Sequence, residues 1–152
     1  MDYRRFNCSV ALLIATGFLV ISFAGCGPRY LNEKQVYKVQ GTVTVDGSPV
    51  GEIQVALHPV DPTAGNQTTF PQGFTDPEGK IRISTYEDGD GAPAGEYKVT
   101  FVLQEYNVLG RSYSGPDKLQ KKYSDPKTSP FSLSLGEGKS NDLGNVELTT
   151  KK

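Results

Sequence analysis

The stretch GEYKVTFVLQ, residues 95–104, decides the fold class, because apolar side chains recur at every second position from Tyr97 to Leu103. Successive side chains of an extended strand point to opposite faces, so this alternation places one set of residues in a core and the other set in solvent. The apolar set is Tyr97, Val99, Phe101 and Leu103. The stretch therefore predicts a half-buried β-strand.

The same alternation recurs on both sides of this strand, and turn-forming Gly, Pro, Asp and Asn residues separate the alternating segments. Regularly spaced short strands with such turns are typical of antiparallel sandwiches. The other segments are 37–45, 53–57, 70–75, 81–83, 131–135 and 146–148. We therefore predict an all-β protein, built as a seven-stranded antiparallel β-sandwich.

Asp46-Gly47 follows the first predicted strand, and both residue types tolerate the positive φ angles of tight hairpin turns. Alternation resumes at Ile53, after Pro49. This pattern predicts a β-hairpin between segments 37–45 and 53–57.

Residues 117–123, DKLQKKY, break the strand pattern. Leu119 and Tyr123 are four positions apart, and Ser114 or Asp117 could cap a short helix that begins there. We predict a short helix whose Leu119 and Tyr123 close one end of the sandwich. A lysine-rich patch for an anionic polymer is the alternative interpretation.

Composition limits the classes of function. The 152 residues are enough for one domain, and 16 Lys+Arg against 17 Asp+Glu give a net charge of -1, which disfavours nucleic-acid binding. Two Cys and one His cannot form a structural Cys/His zinc site. A mean hydropathy of -0.41 excludes a polytopic membrane protein. We expect no cofactor.

Residues 1–25 have the organisation of an export signal. Arg4 and Arg5 precede an uncharged stretch whose apolar centre, Val10–Ile21, is 12 residues long, whereas a membrane-spanning helix needs about 20. The stretch ends in FAGC, residues 23–26, which resembles the lipobox of bacterial lipoproteins. Phe23 stands where the family usually has Leu.

The lipobox resemblance implies cleavage between Gly25 and Cys26, a diacylglycerol on the Cys26 thiol, and a fatty acyl chain such as palmitate on the new amino terminus. Residues 26–35 would then form the lipidated cysteine and its tether, and residues 36–150 the domain. The alternative is an uncleaved signal anchor. Both place the domain outside the cytoplasm, in the periplasm or at the cell exterior, and neither distinguishes the cell membrane from an outer membrane.

Three segments in order resemble transthyretin-like, or carboxypeptidase regulatory-like, domains. They are GTVTVDGSPV (residues 41–50), TDPEGK (75–80) and GEYKVT (95–100). The resemblance implies a seven-stranded, prealbumin-like Greek-key sandwich that serves as an accessory module. It does not imply peptidase activity, because the family's zinc peptidase is a separate domain and His58 begins no zinc-ligand motif.

Few residues are candidates for chemistry. His58 alternates with the apolar positions of its strand, so we expect it to face solvent rather than act as a base. Asp88 and Asp90 lie in an acidic Gly-rich turn; they fail the EF-hand spacing, and remain weak candidates for a cation site. Tyrosines outside the clear strands could stack on a glycan. They are Tyr86, Tyr106, Tyr113 and Tyr123.

These observations predict a non-catalytic, lipid-anchored module of the cell envelope, with a structural or protein-interaction role. Membrane lipid would be its partner through the acylated Cys26, and an envelope protein or glycan its second partner. The alternative is an envelope lipoprotein that binds carbohydrate or a cation through loops at the ends of the sandwich. Those loops are 61–72, 86–95 and 105–116.

Overall fold

A computed structural model of the chain describes residues 33–61 and 70–151, and these residues form β-strands and turns without helices. Twelve strands occur within the described residues. They are β1 (Val36–Tyr37), β2 (Gln40–Val45), β3 (Ser48–Pro49), β4 (Gln54–Pro59), β5 (Gln72–Thr75), β6 (Ile81–Ser84), β7 (Ala92–Pro93), β8 (Gly95–Val102), β9 (Glu105–Asn107), β10 (Ser112–Ser114), β11 (Ser132–Leu135) and β12 (Asp142–Leu148). The prediction of an all-β protein is confirmed.

The larger sheet has the strand order β11-β8-β4-β5-β6, and all of its pairings are antiparallel. The strand predicted from residues 95–104, β8, pairs with β4 along six residues and with β11 along four. Its inward side chains, Tyr97, Val99 and Phe101, are at most 1% exposed. The apolar set of the sequence pattern is therefore buried in β8, although Thr100, between Val99 and Phe101, is buried as well at 4% exposed.

The smaller sheet has the order β12-β2-β3 and corrects the prediction of a wholly antiparallel architecture. The last strand, β12, runs parallel to β2, with a register shift between Asp142 and Asn145. A sequence pattern of period two gives the buried face of a strand but not its direction relative to a neighbour, which is why the parallel pair was not foreseen.

The two sheets bury a common core. The five-stranded sheet contributes half of the buried apolar side chains, and β2 and β12 contribute Val43, Val45, Val146 and Leu148. The β5–β6 turn joins the sheets through backbone contacts: the amide of Val43 donates to the carbonyl of Gly79 at 2.8 Å, and Thr42 and Lys80 form an isolated antiparallel bridge.

Each predicted segment contains a strand, but the strand count and one connection differ from the prediction. Segment 37–45 is split into β1 and β2, and β1 pairs with β7 in a separate two-stranded ribbon. Asp46 and Gly47, with φ of 50° and 85°, do form a hairpin turn. This turn leads from β2 into the two-residue strand β3, which pairs with β2. The next strand, β4, belongs to the five-stranded sheet, so the predicted hairpin between segments 37–45 and 53–57 does not form.

The predicted helix over residues 117–123 is wrong, because this segment forms consecutive turns. Gln120 and Lys121 have φ of 56° and 60°, which an α-helix does not accommodate. The carboxylate of Asp117 instead accepts backbone N–H bonds from Leu103, Leu119 and Lys121. The expected burial is nevertheless present, since Leu119 is 0% and Tyr123 8% exposed.

A matched pair of glycine substitutions tests the junction between the sheets. Gly79 and Gly138 both have positive φ, at 78° and 71°, but a Cβ at Gly79 would lie 2.3 Å from the carbonyl oxygen of Val43, whereas a Cβ at Gly138 would meet nothing within 4 Å. Gly138→Ala should cost only the left-handed backbone penalty, about 1–2 kcal/mol. Gly79→Ala should cost about 1–3 kcal/mol more, because the turn must move off β2.

Urea unfolding of the two variants measures this difference in the free energy of unfolding. Equal losses for Gly79→Ala and Gly138→Ala would show that the turn does not press against β2.

Candidate functional site

Strand register separates the predicted binding loops between two ends of the domain. The segment 86–91 lies at the end where β8 begins, because it leads through β7 to Gly95. The predicted loop 61–72 starts at this same end, where the amide of Val60 donates to the backbone carbonyl of Glu96. Residues 62–69 of this loop lie outside the described residues. The β9–β10 hairpin follows the last residue of β8, at the opposite end. The described parts of the three predicted loops therefore lie at two ends of the domain.

Asp90 organises the acidic turn. Its carboxylate accepts backbone N–H bonds from Thr85 at 2.7 Å and from Tyr86 and Glu87 at 2.9 Å each. Partial burial of Asp90 opposes ionisation, but these hydrogen bonds outweigh it and hold the pKa of the carboxyl below its ordinary value. The turn is therefore folded around the carboxylate of Asp90.

Asp88 is used differently from Asp90. Its carboxylate forms an ion pair at 2.7 Å with Arg82, and both side chains are largely exposed. Within residues 33–61 and 70–151, no group of three or more His, Cys, Asp or Glu side chains is placed to hold a metal ion. The two carboxylates thus contact an arginine and backbone amides.

His58 lies on the face of β4 opposite Val55 and Leu57, as the alternation predicts, but it does not simply face water. It is half-buried, and its Nε2 lies 2.9 Å from the hydroxyl of Thr100 on β8. Burial lowers the pKa of the imidazole from its usual value, because desolvation disfavours the charged ring. The hydrogen-bonding partner is a hydroxyl, which does not orient an imidazole for base catalysis as a carboxylate does.

The four tyrosines considered for glycan stacking do not share one surface, and two of them pair with each other. Tyr123 is buried in the core, and the hydroxyl of Tyr86 accepts the amide of Lys34 at the β1 end. Tyr106 and Tyr113 face each other across the β9–β10 hairpin, with ring centroids 5.2 Å apart. Tyr113 also stacks on Phe74 of β5 at 4.8 Å. The ring of Phe74 thus covers one face of Tyr113.

The β9–β10 hairpin carries the most exposed apolar residues of its end of the domain, which the sequence did not single out. Val108 is 76% and Leu109 98% exposed, at the turn of the hairpin. The side-chain oxygen of Asn107 accepts the amides of Leu109 and Gly110 at 3.0 Å each, so the turn has a defined conformation. An apolar pair beside Asn and Gly inside a turn was the available signal.

The residues of the predicted lipidation site, Gly25 and Cys26, lie outside the described residues. In the part of the chain that is described, no helix has the length and apolar character needed to cross a bilayer.

Comparisons with known proteins identify no family. No protein-family model and no curated protein matches the chain. Among solved structures, the chain is similar to a crystal structure of a 9R-lipoxygenase from Cyanothece PCC8801, with 13% sequence identity and a TM-score of 0.39. The match covers 89% of this chain but only 20% of the lipoxygenase, and a likeness this weak supports no inference about fold or activity.

Substituting asparagine for Asp90 or for Asp88 distinguishes the acceptor of backbone amides from the partner of Arg82. Asp90→Asn should lower the free energy of unfolding at pH 7 by about 1–2 kcal/mol, because three amides lose a charged acceptor on a partly exposed side chain. Asp88→Asn should cost less than about 1 kcal/mol, as expected for an exposed ion pair. Urea unfolding at pH 7 measures both values.

The effect of Asp90→Asn should also depend on pH. Because the folded state lowers the pKa of Asp90, its ionised form stabilises the fold above the unfolded pKa of about 3.9, and this contribution disappears as pH falls through the folded value. The wild type should therefore approach Asp90→Asn in stability as the pH falls below the unfolded pKa and through the lower folded one. A difference that persists unchanged at low pH would contradict this assignment.

Proposed function

We propose that the protein is a lipid-anchored module of the cell envelope with a structural or protein-interaction role and no catalytic activity. The observation that carries this proposal is the N-terminal segment. A pair of arginines, a 12-residue apolar centre and FAGC at residues 23–26 occur in the order of a lipoprotein signal. The folded strands begin at Val36, ten residues after Cys26, so a short tether would separate the lipid from the domain.

A β-sandwich of the transthyretin-like type is the architecture that we propose for residues 36–150. Its support is a five-stranded and a three-stranded sheet that share one core, together with the three motifs that resemble that family. Two of the motifs have structural roles here. Asp46-Gly47 forms the β2–β3 turn, and the carbonyl of Gly79 contacts β2. A Greek-key connection of the seven predicted strands is part of the same proposal.

A binding role fits the polar groups of the described residues better than catalysis does. The half-buried His58 contacts a threonine hydroxyl, and the carboxylates of Asp90 and Asp117 accept backbone amides within their own turns. Groups held in this way stabilise turns and the pairing of neighbouring strands, whereas a general base needs an oriented partner and access to a substrate. We therefore propose that the domain acts through its surface.

The two cysteines provide a matched test of lipidation in the full chain. Cys26→Ser should abolish partitioning of the protein into the membrane fraction, because the acyl chains that provide durable anchoring would be absent. Cys8→Ser should leave membrane partitioning unchanged, since this residue precedes the proposed cleavage site. Fractionation and intact mass spectrometry of both variants and the wild type provide the measurement.

The expected wild-type mass is that of residues 26–152 plus the diacylglycerol and the amino-terminal acyl chain. An intact N-terminal methionine without acyl mass, together with unchanged partitioning of Cys26→Ser, would favour the uncleaved signal anchor and reject the lipoprotein proposal.

A further inference from the structure

The segment that leads into the domain is held against it by few contacts. β1 pairs with β7 over two residues, and Pro93 of β7 has no N–H to donate. Ahead of β1, the amide of Lys34 donates to the hydroxyl of Tyr86 at 3.1 Å, in an exposed position. We call residues 34–38 the strap, and residues 91–93, on which it lies, the seat.

We propose that the strap is a releasable section of the membrane tether, which leaves its seat under tension and lengthens the tether while the domain stays folded. This inference rests on the membrane anchoring proposed above. Release of the five residues of the strap adds at most about 17 Å to the chain between Cys26 and the domain. An envelope partner could then hold the domain over a range of distances from the bilayer.

The side chains of the strap lie outside the buried core. Val36 and Tyr37 are half-buried, and the core of the described residues includes neither of them. Val39, by contrast, is 8% exposed and belongs to the core, and the amide of Gln40 donates to the carbonyl of Asn141 at 2.9 Å. Release of the strap therefore opens no core and stops at Val39, and local openings of this kind cost less free energy than global unfolding.

The seat is held by contacts that do not involve the strap. The amide of Gly91 donates to the carbonyl of Ile83 at 3.0 Å, and the hydroxyl of Tyr97 donates to the carbonyl of Pro93 at 2.9 Å. Gly91 also lets the strap approach closely, because a Cβ there would overlap the carbonyl oxygen of Tyr37. The strap therefore has one defined docked position, and the seat remains in place for its return.

The strand that follows the strap is suited to bear the load that releases it. β2 pairs in parallel with β12, with five aligned residue pairs between Gln40 and Val45. Tension between the tether and the end of β12 pulls these neighbouring strands in opposite directions along their length. The hydrogen bonds of the ladder are then loaded together, whereas the β1–β7 pairing involves only two residues of each strand. The strap should therefore yield before β2 separates from β12.

Amide hydrogen exchange of the full-length protein measures strap opening without load. Relative to unfolded-chain rates, peptides covering the strap should exchange at least about 100-fold faster than peptides covering β2. Low urea concentrations should accelerate exchange in β2 but not in the strap, because strap release exposes little surface. Tyr86→Phe removes the acceptor of the Lys34 amide and should accelerate strap exchange further, whereas the control Tyr106→Phe, in the β9–β10 hairpin, should leave it unchanged.

A disulfide lock tests the response to tension. Val36 and Pro93 are directly opposed in the β1–β7 register, at a separation that suits a disulfide. The full-length protein is stretched in optical tweezers through peptide tags inserted after Gly27 and after Lys152. The wild type should lengthen reversibly by up to about 17 Å at a force below that which unfolds the domain. Oxidised Val36→Cys/Pro93→Cys should lose this step and regain it on reduction.

Three outcomes would overturn the proposal. They are strap amides as protected as those of β2, a wild type without the low-force step, and an unchanged step in the oxidised double-cysteine variant. Exchange and stretching report on the strap whether or not the chain carries lipid, and acyl mass and the partitioning of Cys26→Ser are measured separately. A strap that opens in a protein without acyl mass would reject its role in a membrane tether, so failure of the strap and failure of the anchor give different results.

Discussion

The structure depends on the pairing of β8 with β4, which aligns six residues of each strand and turns their apolar side chains to the same side. Tyr97, Val99 and Phe101 from β8 are buried together with Val55 and Leu57 from β4. Tight packing of such side chains is the main favourable contribution to folding. The domain would depend on it entirely for lack of a disulfide, because the predicted cleavage removes Cys8 and the predicted lipidation occupies the thiol of Cys26. The remaining strands of the five-stranded sheet pair on either side of β8 and β4.

Carboxylates in the turns accept hydrogen bonds from backbone amides that are not paired within a β-sheet. Asp90 and Asp117 each accept several backbone amides, and the hydroxyls of Thr150 and Thr149 lower the pKa of Asp46 by bonding its carboxylate. Backbone donors that leave a sheet need acceptors, and a short acidic side chain can serve two or three of them. Acidic clusters in this chain therefore organise loops, although the same composition also suggests a cation site.

The features that the sequence predicts correctly depend on residues close together in the chain, whereas the features that it misses depend on residues far apart. The strands were recognisable because burial alternates with a period of two, and Asp46-Gly47 was recognisable as a turn because its residue types favour positive φ. Residues 117–123 were misassigned, because spacing by four suggests a helix although Asp117 closes a series of turns. His58 was placed on the correct face, but its contact with Thr100 comes from a strand 42 residues away.

The sequence alone determined the all-β class and most of the inward-facing residues, and it predicts an N-terminal export signal, because these depend on local periodicity and residue chemistry. Only the tertiary structure decided that β12 runs parallel to β2, that β4 leaves β2 for the other sheet, and that Phe74, Tyr106 and Tyr113 meet beneath an exposed Val108–Leu109 turn. The physical reason is that strand direction, sheet membership and ring contacts arise between residues distant in sequence, and a local pattern carries no information on which segments meet.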